Sequence, residues 1–236
     1  PQLKQTLHVK ETVQYQPSDL VKATLRPYQI EGVQWLLEHY NTGLGACLAD
    51  DMGLGKTLQT LSTLVAVQEK LEVEKAENIQ LDLFGNEIPV AKEYLKALIV
   101  LPSSLVFNWY NEARKFTPHF RRIQYVGQDR KLLSKKLAKY DLIFTSYAVV
   151  ARDFSILEKY QFRYLILDES QYIKNKNSKI FKAINQLQTT HKISLSGTPI
   201  ENSLDDLWSQ MQFINPNILG NYAFFTEHYK FPIEKK

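Results

Sequence analysis

Cysteine is all but absent, with Cys47 the one thiol in 236 residues, and an internal disulfide framework is therefore excluded. A reducing compartment fits best: cytoplasm and nucleoid, or the nucleus if the source is eukaryotic. No apolar run approaches the ~18 residues of a membrane span, so no membrane partner is expected. The opening Pro1-Gln2-Leu3-Lys4 has neither Met nor an apolar signal region and reads as excised from a longer protein. A dominant charge sign is also missing. The 29 Lys and Arg exceed the 25 Asp and Glu only mildly, which permits a polyanionic partner without establishing one. No repeat of fixed period is present. What remains is ordinary globular composition, 44% hydrophobic and 23% charged, enough for one good core and unlike a disordered chain.

The charges are unevenly placed. Residues 121 to 140 carry Arg121, Arg122, Arg130, Lys131, Lys135, Lys136 and Lys139 against one acid, Asp129. Lys174, Lys176, Lys179 and Lys182 form a second basic stretch, whereas 69 to 93 is acidic. Such runs by themselves read as solvated helix faces.

Short β-rich apolar runs alternate with helical patterns from about residue 44. The runs are Gly45–Ala49, Ala97–Leu101, Arg122–Val126, Leu142–Ser146, Tyr164–Asp168 and Lys192–Ser196. Amphipathic segments near 57–68, 104–115, 129–139 and 178–187 separate them, which predicts an α/β fold with a mainly parallel sheet covered on both faces. Pro27 opens a helix over 27–40, and Leu204–Phe213 forms another after the last strand. Residues 69–95 read as an acidic insertion, a mobile loop with a partly helical first half. Asn221–Lys236 starts a helix and stops without a visible partner.

Asp50-Asp51-Met52-Gly53-Leu54-Gly55-Lys56-Thr57 follows an apolar run and opens an amphipathic helix. Glycines let the backbone wrap tightly and aim N–H groups at phosphate, and the helix N-terminus adds positive potential. In that reading Lys56 reaches the β- and γ-phosphates of ATP and the Thr57 hydroxyl ligates Mg²⁺. Asp50 stands where the common phosphate-loop pattern wants Gly, so the strict match fails at one position. Leu165-Ile166-Leu167-Asp168-Glu169 ends an apolar strand in adjacent carboxylates, Asp168 for Mg²⁺ through water and Glu169 to polarise the attacking water. Two acids at a strand end are otherwise plain turn residues. Ser196-Gly197-Thr198-Pro199 closes another strand with hydroxyls able to relay a hydrogen bond, or else makes a simple turn.

Together these segments resemble the SWI/SNF-type branch of the superfamily-two helicase-like ATPases, from about Leu25 to Pro232 with six motifs in order. Leu25-Arg26-Pro27-Tyr28-Gln29 is similar to the adenine-recognition segment, which implies Arg26 and Gln29 as nucleotide contacts alongside Asp51, Met52, Gly53, Leu54, Gly55 and Leu58. Asp50 is normal in this branch, and Asp51 replaces a customary Glu. Asp168-Glu169-Ser170-Gln171 stands where many relatives have Asp-Glu-Ala-His, and Gln171, a further catalytic candidate, is similar to bacterial members. Pro102, Ser103, Ser104, Asn108 and Trp109, with Thr145, Ser146 and Tyr147, resemble the two DNA-backbone-contacting segments. Ser196, Gly197 and Thr198 match the coupling motif.

The resemblance implies a three-layer RecA-like lobe over 25–215, preceded by an extension over 1–24 and followed by the start of a helical protrusion over 216–236. It implies ATP-driven movement along double-stranded DNA without base readout, a second RecA-like lobe outside this chain that supplies arginines, and very slow hydrolysis by the first lobe alone. A strand-separating helicase lobe and a nucleotide-gated DNA-binding or docking module are the rival readings. Gln80-Leu81-Asp82-Leu83-Phe84, inside the insertion, is similar to the pentapeptide with which bacterial proteins dock on the sliding clamp, or else packs the insertion onto the lobe.

Overall fold

The structure is a computed structural model that describes residues 14–77, 95–197 and 203–234. Helix α1 (Pro27–Thr42) starts at a proline and ends at Gly43, whose φ of 72° lets the chain turn into strand β1 (Ala46–Leu48). Helix α2 (Lys56–Glu77) follows the phosphate-loop segment, then strand β2 (Ala97–Leu101), helix α3 (Val106–Phe116) and strand β3 (Arg122–Gln124). After helix α4 (Arg130–Ser134) come strand β4 (Leu142–Ser146) and two short helices, α5 (Tyr147–Arg152) and α6 (Phe154–Leu157). Strand β5 (Phe162–Asp168), helix α7 (Lys179–Gln186), strand β6 (Thr189–Leu195) and helix α8 (Leu204–Ile214) complete the domain.

The described strands form one sheet in the order β1-β6-β5-β2-β4-β3, and every pair is parallel. Alternate residues divide between its faces. Ala97, Ile99 and Leu101 pack with α1, α2 and α3, while Leu98 and Val100 pack with residues of α5, α7 and α8. Both faces are covered, which is why these strands are apolar throughout. The expected three-layer α/β architecture is what the structure shows.

The details differ in three places. Helix α2 continues through Glu77, so the first part of the expected insertion is the exposed end of a helix, with Lys70 and Glu74 one turn apart at 4.0 Å. Residues 78–94, including Gln80–Phe84, lie outside the described residues. The single helix expected over 129–139 is instead α4 and a separate 3-10 turn at Leu137–Lys139. Of its apolar side chains Leu137 is buried but Leu132 is 76% exposed, too little burial to hold three continuous turns against the sheet edge. Finally, the C-terminal segment has a partner. Tyr222–Phe225 and the π-type turn after it bond to α8, Tyr222 Oη to Asp205 Oδ1 at 2.9 Å and Lys230 Nζ to Asp205 Oδ2 at 2.7 Å, and Phe231–Glu234 follows.

Candidate functional site

Parallel strands bring the expected motifs to one edge. Asp50 follows β1, Ser196 follows β6, Asp168 ends β5, Pro102 follows β2 and Ser146 ends β4, all at the carboxyl end of the sheet.

The segment between β1 and α2 is a turn with Gly53 at φ 86° and Gly55 at φ 81°, values that favour glycine. A side chain at Gly55 would also run into the Gln29 amide. The Lys56 ammonium reaches back across the loop and donates to the carbonyls of Asp50 at 2.6 Å and Asp51 at 3.1 Å. Asp50 is fixed in turn by Gln59, whose Nε2 donates to its Oδ2 at 2.9 Å. An ammonium inside a ring of backbone, with open space beside Gly53, is a cradle fitted to a polyanion.

Gln29 is buried at the start of α1. Its Oε1 accepts from Arg26 N at 2.9 Å, and its Nε2 donates to the Leu54 carbonyl at 3.1 Å. Tyr28 Oη donates to the same carbonyl at 3.2 Å, so the entry to α1 clamps the loop from the side. A cleft of about 490 Å³ opens next to it, lined by Tyr28, Glu31, Gly32 and Trp35 of α1 and by Cys47–Asp50. Arg26 is exposed and Leu58 half-buried. Burial pushes the pKa of the half-buried Cys47 thiol up.

Asp168 is buried at the end of β5. Its Oδ2 accepts from Trp109 Nε1 at 2.8 Å and its Oδ1 from Glu169 N at 3.0 Å. Burial pushes its carboxyl upward, opposed by the Trp109 hydrogen bond. Glu169 has φ 49°, a left-handed conformation that costs a non-glycine residue about 1–2 kcal/mol. Tyr147 Oη donates to the Asp168 carbonyl at 2.7 Å and holds the strained corner. From Glu169 a line of bonds runs sideways: Gln171 Nε2 donates to Glu169 Oε2 at 2.7 Å, and Ser196 Oγ donates to Gln171 Oε1 at 3.4 Å. Gly197 packs so closely on the phosphate-loop segment that a Cβ there would stand 3.3 Å from Met52 Cγ. Thr198 lies outside the described residues.

The residues expected to face DNA divide into two groups. Ser103, Ser104 and Asn108 are exposed at the start of α3, and Pro102 is half-buried. Trp109, Thr145, Ser146 and Tyr147 are buried, and their side chains do not present themselves to a phosphate. Thr145 Oγ1 donates to the Tyr125 carbonyl at 2.8 Å, Ser146 caps α5, and Trp109 and Tyr147 serve Asp168. The expected basic face is likewise thinner. Arg130 is buried against Asp153, at 2.6 and 3.0 Å, and Arg121 lies 3.5 Å from Asp141, while Lys131, Lys135, Lys136 and Lys139 are exposed.

Sequence reasoning missed Glu112. It lies one turn beyond Trp109 on α3, half-buried near Thr57 and Asp168, and burial pushes its carboxyl pKa up. The spacing of Trp109 and Glu112, three apart on one helix, was the available signal. Among the described residues no group of three or more His, Cys, Asp or Glu is arranged to cage an ion. Thr57, in the first turn of α2, and Asp168, at the end of β5, offer oxygen donors of the kind Mg²⁺ takes.

The family model for the SNF2-related domain matches residues 28–236. The TATA-binding protein-associated factor MOT1 of Saccharomyces cerevisiae is 37% identical over 217 residues, covering 90% of this chain and 11% of its own length. The chromatin-remodeling ATPase INO80 of Candida albicans is 34% identical over 228 residues, covering 92% of this chain and 15% of its own. Among solved structures, the Sulfolobus solfataricus SWI2/SNF2 ATPase core in complex with dsDNA superimposes with TM-score 0.78 at 42% identity, covering 94% of this chain and 42% of that one. This chain thus spans a small part of these fungal relatives and less than half of the archaeal core. Fungal and archaeal relatives lend no support to the bacterial origin suggested by Gln171, nor to a bacterial clamp as partner. Matched along nearly all of its length, this chain belongs to the SNF2-related domain family.

Proposed function

We propose that this domain is the ATP-binding lobe of a DNA-dependent ATPase that moves along duplex DNA. The observation that carries the reading is the meeting of Lys56, Asp168 and Glu169 at one sheet edge, with Gln171 bridging Glu169 to Ser196. The relatives add support, since one is named a chromatin-remodeling ATPase and another is an ATPase core bound to dsDNA. In this reading residues 25–215 are the lobe and 216–236 the start of a protrusion, which Tyr222 and Lys230 tie to Asp205 of α8.

Lys56 exchanges its two loop carbonyls for the β- and γ-phosphates of ATP. The exposed Arg26 and the cleft beside Tyr28 take the base side, while Gln29 sets the position of the loop. Thr57 and Asp168 hold Mg²⁺, which when bound neutralises charge on the phosphate oxygens. Glu169 orients a water and accepts its proton as the water oxygen bonds to the γ-phosphorus and ADP departs with the bridging electron pair. Gln171 keeps the Glu169 carboxylate in place and passes its position to Ser196. Ser103, Ser104 and Asn108 contact DNA phosphates rather than bases, so binding falls steeply with salt and shows little sequence preference. Arginines from a second lobe are worth about 10³ or more in rate, so this lobe alone hydrolyses ATP very slowly.

The test is Mg-ATP hydrolysis by the full-length protein with and without duplex DNA. Strong stimulation by duplex, abolished by Lys56→Ala or Glu169→Gln, is the expected result. Hydrolysis indifferent to DNA would leave an ATPase and remove the DNA assignment. Strand displacement would move the reading to a helicase.

A further inference from the structure

Tyr147 opens α5 directly after β4 and is 2% exposed, so its side chain cannot meet a phosphate, although the resemblance groups it with DNA contacts. Strand β2 lies between β4 and β5 in the sheet, and the phenol crosses that width to the end of β5. There its Oη donates to the Asp168 carbonyl at 2.7 Å and stands 3.5 Å from the Glu169 carbonyl. Its ring is stacked on Tyr172, with centroids 4.9 Å apart and planes 7° from parallel. Tyr172 belongs to the 3-10 turn Ser170–Ile173, and its N–H donates to the Glu169 carbonyl at 3.2 Å. Being 50% exposed, Tyr172 closes the stack from the solvent side. The residue between these contacts is Glu169, at φ 49° and ψ 56°. A glutamate stays in that left-handed region only where its surroundings hold it there.

We propose that Tyr147 and Tyr172 are positioning residues for Glu169: the hydroxyl of the first holds the Asp168–Glu169 corner, and the ring of the second keeps that phenol in place. The inference rests on the ATPase reading above and concerns its proton-accepting group. A residue that passes from the left-handed to the right-handed region carries its Cβ to a new direction, so the carboxylate of Glu169 follows its backbone. Gln171 Nε2 donates to Glu169 Oε2 at 2.7 Å and so fixes the far end of the same side chain. One amide at the tip and two tyrosines at the backbone together set where the carboxylate stands. Neither tyrosine needs to touch the nucleotide. Misplacing a reacting group by about 1 Å costs on the order of 10²-fold in rate. The loss therefore falls on turnover and leaves binding alone.

The test separates turnover from binding in the full-length protein. Values of kcat and KM for Mg-ATP are taken at saturating duplex DNA, beside the affinities for a fluorescent ADP analogue and for duplex. Tyr147→Phe keeps the ring and removes the hydroxyl. It is expected to lower kcat about tenfold or more, with KM and both affinities close to the parent values. Tyr172→Ala lowers kcat in the same way, whereas Tyr172→Phe, which keeps the stack, holds it near the parent value. Tyr172 lies at the surface, so its two variants decide the matter even where Tyr147→Phe fails to fold. An unchanged kcat in Tyr147→Phe, or equal kcat in the two Tyr172 variants, would overturn the proposal. Loss of duplex affinity with kcat retained would overturn it too and return Tyr147 to the DNA contacts. A parent protein that does not hydrolyse ATP, or hydrolyses it equally well as Glu169→Gln, would instead remove the ATPase reading beneath it.

Discussion

Asp153 shows how much of this molecule rests on a single side chain outside the nucleotide edge. It is 3% exposed, accepts two bonds from Arg130 and a third from Tyr125 Oη at 3.1 Å, and so ties the segment after β3 to the turn between α5 and α6. Burial pushes its pKa up, but Arg130 and Tyr125 outweigh this and hold the carboxyl below the usual range. Arg130→Ala leaves that charge buried and unpaired and costs about 3 kcal/mol of stability, at the low end of such losses because the pair lies toward the sheet edge. A group with a depressed folded pKa contributes its stability above the unfolded value, near 3.9, and loses it as pH falls through the folded one. Urea midpoints at neutral pH should therefore separate Asp153→Asn from the parent, and the gap should close below about pH 4. A gap constant with pH would mean that the pair contributes through shape alone. The meeting of Lys56, Asp168 and Glu169 at one sheet edge was legible, but this pair was not: nothing in the sequence marks Asp153, and Arg130 reads as part of a solvated basic face. Nor was exposure: Trp109 of α3, Thr145 of β4 and Tyr147 of α5 carry the residue types of a surface motif but face inward, where they bond to Asp168 and Tyr125.

Elements were read well where an apolar period was long. The strands and α1, α3, α7 and α8 fall near their expected places because each buries a regular stripe. Short helices escaped, since α5 and α6 span six and four residues and carry no period to detect. The start of α5 is capped by a side chain, Ser146 accepting from Val149 N at 3.4 Å, whereas α6 has no such cap. Helix α7 offers the better-formed case, with Ser178 Oγ accepting from Phe181 N at 3.0 Å above a face that buries Phe181 and Ile184. Ser178→Ala should cost about 1 kcal/mol, seen as a lower urea midpoint with an unchanged slope. Ser178→Asp should restore most of it, because aspartate caps as well as serine. No recovery with Asp would mean that the hydroxyl serves something other than the helix end.

At the scale of the molecule, alternating strands and helices made a parallel sheet legible, but the strand order was not. Nothing in an apolar run states its neighbour, and β1 lies beside β6 while β2 lies beside β5 and β4. The order predicts graded protection. Amides of β2 and β5, flanked by strands on both sides, should exchange hydrogen far more slowly than those of the edge strands β1 and β3. Equal protection across the sheet would mean that it opens only as a whole. The edge position of β1 has a consequence for synthesis. Among the described residues its strand partner is β6, whose register Ala46 with Ile193 joins residues far apart in the chain. A ribosome that has made β2 through β5 has released strands able to pair with one another, while the strand that leads into the phosphate loop still has no neighbour. The part of the domain made first is finished last, and the nascent chain cannot hold its nucleotide in place until Thr189–Leu195 has emerged.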